Sequence, residues 1–315
     1  MTTKPAPITS AISTTLGIDY PIVQAPMGWI ARSQLASAVS NAGGLGIIET
    51  SSGELDEVKN EIAQMRALTD KPFGVNIAQL FVRDPAIVDF VVEQGVKFVT
   101  TSAGDPTKYT KQLKDSGLTV FHVVPTLASA LKAVDAGVDG LVVEGAEGGG
   151  FKNPRDVSTM VLLPLVAERV DVPIIAAGGI TDGVSMAAAF ALGAHGVQMG
   201  TRMVSAKESP VHDNWKNAII NAAETDTVFL NRFGKPSLRA LRTERTTRLE
   251  REDSFGMEEL SRARDLYFGG DMEAAVALTG QVCGRITSIE SVQDILWSTA
   301  REFHERVAQL QKHSI

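Results

Sequence analysis

The chain is 315 residues long, 44% hydrophobic and 21% charged, a composition that belongs to globular proteins and not to disordered or fibrous ones. Its 30 Lys and Arg against 37 Asp and Glu leave a net charge of −7, opposite to what a nucleic-acid-binding surface needs. The single cysteine, Cys283, excludes an internal disulfide or thiolate metal cluster, no apolar run approaches the ~20 residues of a membrane helix, and the polar start MTTKPAPITSAISTT lacks a signal peptide's apolar core, so a soluble, cytoplasmic chain is expected.

Eight short β-rich runs alternate with longer helical patterns up to about residue 204. The first four cover 21–25 (PIVQA), 45–48 (LGII), 73–77 (FGVNI) and 97–101 (KFVTT). The next four cover 119–123 (TVFHV), 140–144 (GLVVE), 173–177 (PIIAA) and 196–200 (GVQMG). The intervening stretches are amphipathic, as in Leu55, Val58, Ile62, Met65 and Leu68, spaced by three and four residues. Strands that are apolar throughout, each followed by a helix, imply a parallel sheet covered on both faces. Eight such units in succession predict an α/β fold, a (β/α)8 TIM barrel. An open doubly wound sheet would show a dinucleotide fingerprint after its first strand, where residues 24–36 read QAPMGWIARSQLA instead.

After Ser205 the rhythm changes. Residues 205–275 are richer in charge and helix formers, which predicts a helical insertion or subdomain after the eighth strand, with residues 1–204 and 276–315 forming the barrel. The Arg-dense run at 240–252 (ALRTERTTRLERE) is interleaved with glutamates and reads as a solvated helix face. A last amphipathic helix, about Ile289 to Gln311, is expected to pack back on the barrel.

In this architecture the chemistry sits at the C-terminal ends of the strands. The seventh run ends in Gly178-Gly179 and the eighth in Gly200-Thr201, and a helix beginning near Asp182 is expected to present free N–H groups. That combination points to a phosphate site, with Thr201 adding a hydroxyl donor. The alternative is that these glycines only make tight turns. The triple glycine Gly148-Gly149-Gly150 costs backbone entropy that a flat or bulky ligand close to the main chain would justify. The five histidines do not fall at paired ligand spacings, so no metal is expected. A phosphate-handling aldolase or isomerase without cofactor would want a lysine or paired carboxylates at the strand ends, and the runs supply only Lys97, at a strand start.

Six segments in order, QAPMGW (24–29), NAGGLGII (41–48), KPFGVNI (71–77), EGAEGGG (144–150), PIIAAGGITDG (173–183) and GVQMGTR (196–202), resemble the nitronate monooxygenase (2-nitropropane dioxygenase) family and its close relative, the flavin-dependent enoyl-acyl-carrier-protein reductase II. The later GQVCG (280–284) resembles a C-terminal segment of the reductases. The resemblance implies a barrel holding non-covalent FMN at its C-terminal face, with the inserted subdomain closing over the flavin. It implies that Ala25, Pro26 and Met27 line one edge of the isoalloxazine and that Asn76 bonds its polar edge. Gly149 and Gly150 would let their loop approach the cofactor. Gly178, Gly179, Gly200 and Thr201 would bind the 5′-phosphate, and Gln198 and Met199 would lie beneath the ribityl chain or ring.

One departure bears on the chemistry. Many relatives carry Gly-Gly-His after the sixth strand, whereas this chain reads Gly149-Gly150-Phe151, and phenylalanine cannot move a proton. Glu147, Lys152 and His122 are the candidates to replace the histidine. His212 is a weaker one, set against a capping role, and Trp29 either shapes the pocket or packs under the first helix. His195 falls at the opposite face, and His304 and His313 carry no assigned role. Cys283 reads as a packing residue. The expected activity is oxidation of alkyl nitronates with O2. The alternatives are NAD(P)H-dependent reduction of an enoyl thioester or other activated alkene, and an FMN-binding barrel without turnover. The expected partners are a small-molecule substrate and, through the inserted segment, a second copy in a homodimer, with neither nucleic acid nor membrane.

Overall fold

The computed structural model describes residues 3–312; His313 lies outside them. Eleven strands are present among the described residues: β1 (Ile22–Gln24), β2 (Gly46–Glu49), β3 (Phe73–Ala78), β4 (Phe98–Ser102), β5 (Thr119–Val124), β6 (Gly140–Glu144), β7 (Gly150–Lys152), β8 (Ile174–Ala177), β9 (Gly196–Met199), β10 (Thr227–Leu230) and β11 (Ser237–Leu241). Eight of them form one all-parallel sheet in the order β1-β9-β8-β6-β5-β4-β3-β2. The seam closes where the Gln24 N–H donates to the Leu45 carbonyl at 3.0 Å and the Leu45 N–H to Ile22 at 2.9 Å. The Gln24 side chain also crosses the seam, its Nε2 donating to the Ile47 carbonyl at 3.2 Å. The expected (β/α)8 barrel is therefore the fold, and each of the eight predicted runs is one of its strands.

Strand alternation sorts the core into two shells. Val23, Ile47, Phe98, Phe121, Val142 and Ile175 point inward and pack with Ile12 and Leu16 of the helix Ala11–Leu16. That helix plugs the N-terminal end, where Ile12 lies against Gly196 at the start of β9. Val75, Val99, Val120, Val124, Leu141 and Val197 point outward into the helix layer. Capping boxes at Ser10, Thr126 and Asp182 start three of the helices, each cap contributing about 1 kcal/mol. The terminal helix, Val292–Gln311, packs on the helix Gly183–Ala191, with Phe303 against Phe190 at 4.9 Å.

Residues 205–275 differ from the expectation of a purely helical insertion. They hold the helices Asp213–Ile220, Glu244–Glu252 and Ala263–Tyr267, but also β10 and β11. These two strands pair antiparallel, and β11 pairs with β7, which the loop after β6 contributes. The resulting three-stranded sheet buries Val228, Leu230, Leu238 and Ala240 on one face against Leu249, Phe255 and Val276. Its period-two alternation is what made the strands, and their brevity is what hid them. The arginines of 240–252 are largely partnered, Arg242 with Glu250, Arg245 with Glu259 and Arg251 with Glu252, as a solvated helix face requires. Among the described residues no helix is long and apolar enough to cross a membrane.

Candidate active site

The C-terminal mouth of the barrel gathers most of the residues singled out in the sequence. Gly178 and Gly179 both adopt left-handed backbone, φ 84° and 81°, which lets the chain turn sharply at the end of β8. A Cβ on Gly178 would stand 2.8 Å from the Gly145 carbonyl oxygen, so the loops after β6 and β8 touch through main chain. The N–H groups of Gly178, Gly179, Gly200 and Thr201 have no acceptor among the described residues. Thr201 Oγ1 accepts from the Gly280 N–H at 2.9 Å, which leaves its own O–H free to donate. Four amides and a hydroxyl at two adjacent strand ends thus form a cluster of unsatisfied donors.

The expected helix-terminus contribution is reduced. The N–H of Gly183 is taken by the Glu302 carboxylate at 3.0 Å and that of Ser185 by the Asp182 side chain at 2.8 Å. The amides of Thr181 and Asp182 both donate to Ser185 Oγ. The helix that begins after Asp182 is largely capped from within the chain, so the donors that remain are those of the glycine turns and the Val184 N–H.

Two residues before Gly200 stands an unsatisfied acceptor. Gln198 points inward from β9 and is buried, and its Oε1 has no hydrogen-bond partner among the described residues. A buried amide oxygen left unpaired costs ~1–3 kcal/mol, which a ligand hydroxyl would relieve. The loop after β1 runs alongside. A Cβ on Gly200 would stand 3.5 Å from the Ala25 Cβ and 3.9 Å from Met27 Sδ. Ala25 through Trp29 are all half-buried at this mouth. Asn76 is buried across the barrel, its Nδ2 donating to Thr100 Oγ1 at 2.9 Å and to the Thr100 carbonyl at 3.2 Å. Donors suited to a phosphate beside an acceptor suited to a polyol chain match the two ends of an FMN side chain, so the residues present fit that group. Met199 of β9 faces the other way, into the outer core.

Within the triple glycine, Gly149 faces the protein's own main chain. A Cβ on Gly149 would stand 2.8 Å from the Gly280 nitrogen and the Thr279 carbonyl carbon. A close approach between two stretches of main chain is therefore enough to require glycine at 149.

The three proton-donor candidates separate. His122 lies between Phe121 and Val123, whose side chains belong to the inner shell, so its own points outward. Its Nδ1 meets Thr101 Oγ1 at 2.6 Å, and burial pushes its pKa down to about 4. It is a neutral packing residue away from the mouth, which corrects its candidacy. Glu147 accepts from the Thr159 N–H at 3.0 Å and the Thr159 hydroxyl at 2.9 Å. It is thereby committed to the first turn of the helix Thr159–Ala167 and is no free acid. Lys152 remains: its Nζ is ion-paired with Glu144 at the inner end of β6, and its side chain is only 4% exposed against 25% for Glu144. Phe151, the residue after Gly149-Gly150, packs on Phe81 with ring centroids 5.4 Å apart. His212 caps the helix Asp213–Ile220, accepting from the Asn214 N–H at 3.1 Å, and His195 accepts from the Ile174 N–H at 3.2 Å. Cys283 is buried, and desolvation pushes its thiol pKa up.

Several residues that hold the mouth together carried no sequence signal. Arg239 of β11 is buried; its Nε donates to the Ala146 carbonyl at 2.9 Å and its Nη1 to Thr227 Oγ1 at 3.0 Å, tying the loop after β6 to the small sheet. Glu49, 1% exposed, pairs with Arg32 at 3.0 Å and accepts from the Trp29 N–H at 3.1 Å. Trp29 is held at φ 64°, and its ring lies between the guanidinium groups of Arg32, 5.3 Å away, and Arg264, 5.2 Å away. Arg264 belongs to the helix Ala263–Tyr267, so the inserted segment touches the loop after β1 through this stack.

Comparison with known proteins identifies the family and the fold. A family model described as nitronate monooxygenase matches residues 9–89 and 78–302. A Mycobacterium tuberculosis protein named (3aS,4S,5R,7aS)-5-hydroxy-7a-methyl-1-oxo-octahydro-1H-indene-4-carboxyl-CoA dehydrogenase is 39% identical over 238 residues, 75% of this chain. The match spans 66% of that relative, just under two thirds of its length. A nitronate monooxygenase from Paraburkholderia phytofirmans is 32% identical, over 70% of this chain and 72% of its own. The structure of FabK from Thermotoga maritima superposes with a TM-score of 0.92 at 38% identity, covering 97% of this chain and 99% of that one.

Proposed function

The chain belongs to the nitronate monooxygenase family, and from that premise we propose that it is an FMN-dependent oxidoreductase that reduces the activated double bond of an enoyl thioester with electrons from NAD(P)H. The observation that carries this reading is the pair of residues after the glycine turn. Phe151, where relatives keep a histidine, is packed on Phe81, and Lys152 is held against Glu144. Abstraction of a C–H proton from a neutral nitroalkane needs a base, and an ammonium paired with a carboxylate is a donor instead. Reduction of a conjugated thioester needs such a donor: a hydride adds to the β-carbon, the C=C becomes C–C, and a proton completes the α-carbon. Two of the relatives described above are consistent with thioester chemistry, the carboxyl-CoA dehydrogenase and FabK, an enoyl-acyl-carrier-protein reductase II.

When bound, FMN supplies the hydride. The amides of Gly178, Gly179, Gly200 and Thr201 would hold its phosphate, and Gln198 Oε1 would accept from its side-chain hydroxyls. Ala25, Pro26, Met27 and Asn76 would border its ring, while Gly150 starts the strand that carries Phe151 and Lys152. Lys152 polarises the thioester carbonyl and delivers the proton, Glu144 positions the Lys152 ammonium, and Phe151 with Phe81 keeps water from the reacting carbons. Residues 1–204 and 276–315 act as the FMN-binding barrel and 205–275 as its cover.

A second reading is nitronate oxidation with O2, which the family's name favours. A nitronate is already an anion and needs no base, so Phe151 does not forbid it. Anaerobic stopped-flow separates the two. Flavin absorbance should bleach with NADH or NADPH and return on adding an enoyl thioester such as crotonyl-CoA. Bleaching by an alkyl nitronate, with none by either nicotinamide, would overturn the reductase reading in favour of the second.

A further inference from the structure

Trp29, in the loop after β1, holds left-handed backbone at φ 64°, which a bulky residue adopts only where its surroundings enforce it. Its N–H donates to Glu49 Oε1 at 3.1 Å and to Ser52 Oγ at 2.8 Å. Arg32, 5.3 Å from the indole centroid, is fixed in turn by Glu49 at 3.0 Å and by the Ser52 carbonyl at 2.5 Å. The barrel side of this contact is therefore rigid. What the fixed indole holds is the guanidinium of Arg264 from the inserted segment, 5.2 Å from the same ring.

Arg264 is exposed, and its guanidinium has neither an ion pair nor a hydrogen bond among the described residues. The charges around it are accounted for. Arg262 is paired with Asp265 and Asp271, and Glu259 with Arg245, while the Glu258 carboxylate lies against Gly256 of its own turn. Across the contact, Glu49 neutralises Arg32. Arg264 thus keeps an unmatched positive charge beside the loop that borders the mouth. A guanidinium over an aromatic face keeps its edge N–H groups free, and that edge matches phosphate oxygens two at a time.

We propose that Arg264, positioned by Trp29, is the docking cation for the diphosphate of a reactant entering the mouth. The proposal rests on the reductase reading, in which both a nicotinamide dinucleotide and a CoA thioester carry a diphosphate remote from their reacting carbons. In that reading the amides at Gly178, Gly179, Gly200 and Thr201 are taken by the FMN phosphate, so a second anion needs its own partner. Reacting carbons that pass inward toward Lys152 leave the diphosphate at the rim, where Arg264 stands.

Anaerobic stopped-flow bleaching of the FMN-loaded protein gives dissociation constants for NADH and NADPH, and calorimetry gives that for CoA. Arg264→Ala should weaken the diphosphate ligand about tenfold, with an unchanged melting temperature and a flatter dependence on salt. A loss confined to the nicotinamides makes the dinucleotide the occupant, and a loss confined to CoA makes it the thioester. Arg264→Lys, which keeps the charge without the planar edge, should restore part of the affinity. Trp29→Leu should weaken the same ligand about threefold, because an unheld arginine loses more freedom on binding. The double variant should bind no more weakly than Arg264→Ala, since an absent arginine needs no positioning. Affinities that do not change in Arg264→Ala, an unaltered salt dependence, or a wild type that binds none of the three ligands would overturn the docking role. Losses that add in the double variant would overturn the positioning by Trp29. Absence of bleaching by either nicotinamide would refute the reductase reading instead, and the CoA titration would still decide the role of Arg264.

Discussion

Lowering the pH should destabilise this protein through His122 before its carboxylates contribute much. The imidazole is buried against Thr101, and its pKa falls from the ordinary 6.5 to about 4 because burial penalises the charged ring. In the unfolded chain the ring takes up a proton below about pH 6.5; in the folded chain it does not until about pH 4. The unfolded state therefore binds more protons through this window, and stability present above pH 6.5 is lost as the pH falls toward 4. A shift of two to three units corresponds to about 3 kcal/mol, a large part of the ~5–15 kcal/mol that a folded domain has in reserve. Urea unfolding at pH 7.0, 5.5 and 4.5 measures this, with His122→Asn as control. The asparagine amide reaches toward Thr101 in place of Nδ1 but does not titrate. The stability difference between wild type and variant should shrink by about 2–3 kcal/mol between pH 7.0 and 4.5. A difference that does not change with pH, or an imidazole pKa near 6.5 by NMR, would mean that the ring reaches solvent and that the orientation argument is wrong.

Gln198→Leu should weaken FMN binding about tenfold, the worth of one buried hydrogen bond, while leaving the melting temperature of the apoprotein level or higher because an unpaired acceptor is gone; a flavin titration with unchanged affinity would contradict this. Gly149→Ala should cost about 1–3 kcal/mol by overpacking against Thr279 and Gly280, and the loss should appear in the apoprotein. A melting temperature that drops only when flavin is bound would return the triple glycine to the ligand. Lys152→Met should lower enoyl-thioester turnover about 100- to 1000-fold, the range of a lost proton donor, with nicotinamide bleaching of the flavin untouched in stopped-flow. Equal losses in both half-reactions would mean that the lysine holds the mouth together and does not move the proton.

The strand runs were legible because each is a local pattern: a largely apolar stretch of three to six residues bounded by glycine or polar turn residues needs only its chain neighbours to be recognised. The glycine turns at Gly178-Gly179 and Gly200 were legible for the same reason, and the barrel rule placed them at one mouth. What the sequence did not reveal depends on phase or on distant partners. The run from Thr119 to Val124 is apolar enough on both faces that its phase cannot be read, so only barrel closure shows that Phe121 points in and His122 out. Glu147 meets Thr159, Gly183 meets Glu302 and Gly149 meets Gly280, contacts that no local pattern encodes. The same holds for β7, which reads as loop until β11 comes alongside it. Composition and periodicity determined that this chain makes eight barrel strands with glycine turns at the ends of two of them. Tertiary closure decided which polar groups those turns leave unsatisfied, because a hydrogen bond between segments exists only after both have been brought together.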